Sequence, residues 1–411
     1  MSTTSPEREV GGQAPQSGAG VASVLRTAFS KNIRQSGMLL ALAVIVVYYQ
    51  IVTHGTTLHP ANVSNVIQQN GYILVLAIGM VIVIISGHID LSVGSVAALT
   101  GAVAAQLMIK QHWPWGWAVV AALVVGALIG AWQGFWIAYI GIPSFIVTLS
   151  GMLVFRGITF TVLGGRDVGQ LPRGFRERTT GFLPKYDLGF GGKVHNLTIV
   201  LGLLFALFVV VNQWRDRRVQ TRYGAEALPL YLFVGKVAAV VAFLLGFTWL
   251  LARYNGYPVV LLILAFLLLT YGFIMKRTVL GRHIYAVGGN SLAAKLSGVK
   301  SQRVTFFVFV NMGILAALCG LLITARLNSA TQSAGNFFEL EAIAAAFIGG
   351  ASASGGVGTV LGAVIGGLVT AVIANGLSLT SASTGRQYIV RGLLLMFAVA
   401  FDIFNKKRVG R

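Results

Sequence analysis

Asp90 stands where a charge is costly. The chain reads Ile82-Val83-Ile84-Ile85 and then Ser86-Gly87-His88-Ile89-Asp90-Leu91-Ser92-Val93-Gly94-Ser95, a polar break between two apolar runs. Hydrocarbon gives a freed backbone amide no partner, so such a break persists only when other helices cover it or it lines a water-filled cavity. A carboxylate at that depth marks a functional site by default. One chemistry that fits is a row of hydroxyl-compatible groups along a pathway for an uncharged polar cargo. Ser86, His88, Asp90, Ser92, Gly94, Ser95 and, far along the chain, Asn375 are then the candidate pathway or gate residues. The other is a proton relay through Asp90 and His88, as in a proton-coupled secondary transporter. A plainer reading, a tight turn with Asp90 capping the second helix, is compatible with a functional role.

Arg156 lies inside the apolar stretch 143–164 and needs a partner if buried; Asp90 is the nearest chemical match, so an ion pair is predicted. Beyond these groups the chemistry thins out. The six histidines are scattered singly and make no metal cluster, and Cys319 is the only cysteine, so no internal disulfide can form. No acid, base and nucleophile converge, which argues against a membrane enzyme.

The elements that must hold these residues follow from composition. Of 411 residues 56% are hydrophobic and only 10% charged, with 51 glycines, against about 25% charged in an ordinary soluble domain. A span needs roughly 20 apolar residues. Candidates are 37–53, 72–86, 93–109, 117–139, 143–164, 196–213, 230–252, 257–275, 304–325, a short 341–350, 357–376 and 387–404. The fold expected is all-α, a polytopic helical membrane protein of about 10–12 transmembrane or re-entrant helices, with the permease-like body over 37–404. Residues 1–36 read as a disordered cytoplasmic arm and 405–411 as a basic cytoplasmic tail. The formal charge of +20 does not signal nucleic acid, because the basic residues sit in short loops, where they set topology.

That rule puts 276–303 (Lys276, Arg277, Arg282, Lys295, Lys300, Arg303) inside with both termini and 214–226, and puts 54–71 outside. Residues 165–195 fall outside yet are basic. Arg166, Arg173, Arg176 and Arg178 there could dock an acidic extracytoplasmic partner. A second Gly/Ser break, Gly349 to Gly358, resembles the first, and matched breaks in two halves predict an internal repeat with a site between the repeats. Between two spans, Asn290 or Ser291 can cap a short helix through Ala293, Ala294 and Leu296 that Gly298 ends, an amphipathic segment suited to a partner's groove.

Ser86 to Ser95 resembles the Gly-Gly-Ile-Asp-Leu-Ser-Val-Gly signature of permease subunits of bacterial ATP-binding-cassette importers for ribose, galactose and xylose. His88 stands where that family commonly has glycine. Pro143-Ser144-Phe145-Ile146-Val147-Thr148-Leu149, Arg156-Gly157, Gly288 to Gly298, and Ile348-Gly349-Gly350 through Gly355-Gly356-Val357-Gly358-Thr359 are similar as well. The additional apolar pair 196–252 looks most like the xylose permeases. The resemblance implies a permease homodimer in the inner membrane, two copies of an ATPase subunit and a periplasmic sugar-binding protein. It makes 284–299 a coupling helix, with Gly289, Asn290, Ala293, Ala294, Ser297 and Gly298 meeting the ATPase. The chain lacks a Gly-x-x-x-x-Gly-Lys-Ser/Thr loop, so ATP and Mg belong to that partner and no cofactor is expected here.

Overall fold

A computed structural model describes residues 33–186, 195–223 and 229–409. The expected arm over 1–32, parts of loops 165–195 and 214–226, and residues 410–411 lie outside the described residues.

Each of the twelve apolar runs is a helix. In chain order the first five are α1 (Ile33–Val52), α2 (Pro60–Ile85), α3 (Val93–Ile109), α4 (Trp115–Phe135) and α5 (Ser144–Leu163). Proline opens α2 at its first turn, where a missing amide costs nothing. A π-turn, Trp136–Ile140, prolongs α4 and stops at Gly141, which is left-handed. A short amphipathic helix, α6 (Arg173–Thr180), follows in the basic loop, and α7 (Asn196–Arg222) and α8 (Leu230–Ala252) form the additional pair. The remainder is α9 (Val259–Arg277), α10 (Val279–Gly289), α11 (Ser291–Leu296), α12 (Ser301–Leu327), α13 (Phe338–Ile348), α14 (Val360–Leu379) and α15 (Thr384–Val409). One two-residue pairing, β1 (Val168–Gly169) with β2 (Ser329–Ala330), is antiparallel. Eight of the helices are long and apolar enough to cross a membrane; the chain is a multi-pass membrane protein.

Two five-helix units repeat one plan. Helices α1 to α5 run 20, 26, 17, 21 and 20 residues, and α9, α12, α13, α14 and α15 run 19, 27, 11, 20 and 26. In each, a long second helix ends in a break and a shorter third helix resumes. The contacts cross over between units: α3 lies on α12 of the other unit, and α13 lies on α2. The second break of the repeat is therefore 328–337, and the Gly349–Gly358 loop anticipated for that place is instead the turn between α13 and α14. The Phe338 ring meets Tyr72 at 4.8 Å near the middle of α2, which places the start of α13 at half depth. At the same depth the first turn of α3 meets the second break. A Cβ on Gly94 or Gly335 would overlap the other's backbone, so only glycine permits this approach.

Helices α2 and α12 form the centre. Val75 through Ile85 are almost wholly enclosed, and Met312 and Leu315 of α12 close on Gly79. The α7–α8 pair packs chiefly on itself at the rim and leaves Leu203, Leu204, Leu207 and Phe243 exposed, as lipid-facing helices do.

Candidate functional site

The first break is built by its own side chains. Asp90 is 2% exposed, and its Oδ1 accepts from the Ser92 amide at 2.8 Å and the Ser92 hydroxyl at 2.7 Å. That arrangement caps α3 and sets a negative charge at its positive end. Gln133 of α4 donates to Ser92 Oγ at 2.7 Å. Ser86 and Ser95 donate to the carbonyls of Val83 and Ser92, both at 2.7 Å. On α5, the Ser144 hydroxyl accepts from the Ile89 amide at 3.4 Å. The left-handed residue of this turn is Gly87, at φ +85°; His88 needs no such freedom, which is why histidine fits there.

The sequence-predicted gate residues therefore divide. Ser86, Asp90, Ser92, Gly94 and Ser95 come together, with their polar atoms committed to the turn and to helix packing. Asn375 does not join them: it exchanges hydrogen bonds of 2.9 and 3.0 Å with Asn62, near the far ends of α14 and α2. The predicted Asp90–Arg156 pair does not form either. Arg156 donates to the carbonyls of Gln332 at 3.2 Å and Ala334 at 2.6 Å, holding the second break in shape. Those bare carbonyls, lying at half depth, satisfy the guanidinium in place of a carboxylate. His88 Nε2 faces the Thr305 hydroxyl at 3.5 Å, and no hydrogen bond joins it to Asp90 among the described residues, so the two do not make a connected relay.

Each break is fastened to a different end of the molecule. At one end, α10 lies against the first break: a Cβ on Gly288 would fall on the Ile85 carbonyl. The Gly356 amide donates to that same carbonyl at 2.8 Å. The Tyr285 hydroxyl donates to the Gly358 carbonyl at 2.7 Å; burial raises its pKa, which keeps the donor proton in place. Thr278 caps α10 through the Gly281 amide, and Asn290 caps α11 through the Ala293 amide at 2.9 Å. Ala294 is buried against the body, whereas Gly289, Asn290, Ala293, Ser297 and Gly298 face outward. Gly298 is left-handed at φ +85° and ends the helix. Leu292 and Leu296, one turn apart and 67% and 81% exposed, were not foreseen. Their spacing of four, on the side of the helix away from Ala294, was the available signal.

At the other end, β1 pairs with β2 and so ties the basic loop to the second break. Asn328 accepts from the Leu171 amide at 2.9 Å through its side chain and from Gln170 at 3.1 Å through its carbonyl. Phe175, fully enclosed, anchors α6. Around it the arginines differ. Arg166 is exposed, Arg173 pairs with Glu177 at 2.6 Å in water, and Arg178 lies 5.4 Å over the Trp115 ring. Arg176 is half-buried, and its Nε has no hydrogen-bond partner. With Arg173, Glu177 and Arg326 it lines an open depression of about 270 Å³.

Comparison with known proteins agrees with this layout. A family model described as branched-chain amino acid transport system / permease component matches residues 62–399. The xylose transport system permease protein XylH of Escherichia coli K12 is 41% identical over 379 residues, 92% of this chain and 94% of its own. XylH of Haemophilus influenzae is 39% identical over 92% of this chain and 99% of its own. The ribose import permease protein RbsC of Escherichia coli K12 is 34% identical over 84% of this chain and 86% of its own. No solved structure matches. A multi-pass body with a break tied to each end, and likeness to these permeases over nearly its whole length, make this chain a member of that family of transport-system permease components.

Proposed function

We propose that the chain is the transmembrane subunit of an ATP-binding-cassette importer that carries a monosaccharide, D-xylose, across a bacterial inner membrane. The observation that carries this reading is the contact of α10 with the first break through Gly288, beside two outward leucines that await a soluble groove. A separate ATPase grips α11, and its movement reaches the spans through Ile85, Gly356 and Gly358. ATP and Mg stay in that subunit. The amino acid sequence supports the orientation: the 276–303 segment carries six basic residues and no acid, which places it in the cytoplasm. Arg277 lies 4.0 Å from Asp216, so the 214–226 connector shares that side. Both termini follow to the cytoplasm, and α6 faces the periplasm.

There the depression around Arg176 receives an acidic side chain of a sugar-binding protein, and two copies of the chain enclose the route. Xylose is favoured over ribose because the identity to the xylose permeases is higher and the match covers more of the chain. The deciding experiment reconstitutes the chain with its ATPase and binding protein and asks which monosaccharide stimulates ATP hydrolysis. Stimulation by xylose, with uptake that survives loss of the proton gradient, is expected. Accumulation of solute by this chain alone would sink the reading.

A further inference from the structure

The two units differ at one equivalent place. In the first, the space between α12, α3, α4 and α5 is filled: Gln133 is 2% exposed and bonded to Ser92, and Phe155 is 7% exposed among Val147, Ile137 and Trp132. In the second, the corresponding space between α2, α13, α14 and α15 holds a cavity of about 330 Å³. That size lies within the ~300–1,000 Å³ range of small-molecule sites.

Its wall is mixed. Glu341 and Arg391 form an ion pair across it, and Asn70 and Thr370 contribute further polar groups to a lining otherwise made of Ile73, Leu340, Ile373 and their neighbours. At its edge Phe337 and Tyr388 meet at 5.8 Å, edge to face. Phe337 holds φ +64°, a left-handed conformation that is strained for an aromatic residue, at the cap of α13. Strain of that kind persists where the surroundings impose it, and it clusters at binding sites and switches. Both rings remain half-exposed.

We propose that this cavity is a transit site for one monosaccharide, an inference that rests on the importer reading. A pyranose presents apolar C–H faces to aromatic rings and hydroxyls to carboxylate, guanidinium and amide groups. Here Phe337 and Tyr388 supply the first, and Glu341, Arg391 and Asn70 the second. The paired charges leave the wall near neutral, which suits an uncharged cargo better than an anionic lipid headgroup. The site lies at half depth, beside the segment that Arg156 and β2 tie to the docking end, so partner binding and site shape are mechanically linked.

The test uses the full assembly of permease, ATPase and binding protein in vesicles of phosphatidylethanolamine and phosphatidylglycerol. Ala374→Trp fills the cavity. It should cut ATP-driven xylose uptake by about tenfold or more while binding-protein-stimulated ATP hydrolysis stays within about twofold of the unmodified assembly. Tyr388→Ala, on an exposed ring, should raise the KM for uptake with the same hydrolysis. Thr370→Cys, read against the buried Cys319, should react with a small thiol reagent during turnover, and xylose should slow the reaction. Unimpaired uptake by Ala374→Trp, or Thr370→Cys labelling blocked by lipid or by a second permease copy regardless of sugar, overturns the proposal. Absence of xylose uptake by the unmodified assembly instead removes the importer reading beneath it.

Discussion

Asp90 is the residue on which sequence and structure can be compared most closely. Its position at the break was legible, because a lone carboxylate after a run such as Ile82–Ile85 is rare and costly. Its partner was not, since a hydroxyl and an amide two residues on satisfy it locally while Arg156 turns to carbonyls of a segment more than a hundred positions away. A role in acceptance rather than in charge makes a prediction. Asp90→Asn keeps an oxygen for Ser92 and should retain most uptake, whereas Asp90→Ala loses the cap and should cost about 1–2 kcal/mol of stability, read as a lowered Tm in detergent. Collapse of uptake in Asp90→Asn at unchanged Tm would favour a proton-carrying role. Tyr285→Phe removes a single hydrogen bond to the Gly358 carbonyl, worth about 1 kcal/mol. Fewer sugars should then be moved per ATP hydrolysed, with the ATPase still bound.

Among the elements, the apolar stretches were read well and the polar ones poorly. All twelve runs are helices, because a segment in lipid must satisfy its backbone internally whatever its neighbours do. Helix α2, however, begins at Pro60 rather than near 72, its first turns being rich in Asn62, Ser64, Asn65 and Gln68 that face protein instead of lipid. The second break was invisible for the same reason: Asn328 to Asn336 reads as an ordinary polar loop, and only Gly94 and Arg156 reveal that it descends to half depth. Helix α6 hides in a charged loop, held by the single ring of Phe175. At this scale the coupling helix can be tested directly. Leu292→Asp with Leu296→Asp, both at exposed positions, should abolish co-purification of the ATPase subunit while the Tm of the permease stays within a few degrees, since surface changes move stability by only about 0.5 kcal/mol. An intact complex would place the motor elsewhere.

The whole molecule carries its charge at two faces and almost none between. Docking at the outer face is argued from Arg173, Arg176 and Arg326 around one depression. Stimulation by the binding protein should therefore fall as salt rises, because the screening length shortens from about 10 Å at 0.1 M to about 3 Å at 1 M. Arg173→Glu with Arg176→Glu should abolish it even at low salt; full stimulation of that double variant would exclude this face.

Helix α12 starts directly after the coupling segment and stops at Asn328, the residue clasped by Leu171 and Gln170. Its 27 unbroken residues make a strut of roughly 40 Å at 1.5 Å per residue. Such a strut transmits load in either direction. In the proposed assembly, whatever nucleotide occupies the motor must then alter how tightly the sugar carrier is held outside, and the carrier's arrival must alter nucleotide affinity by the same factor.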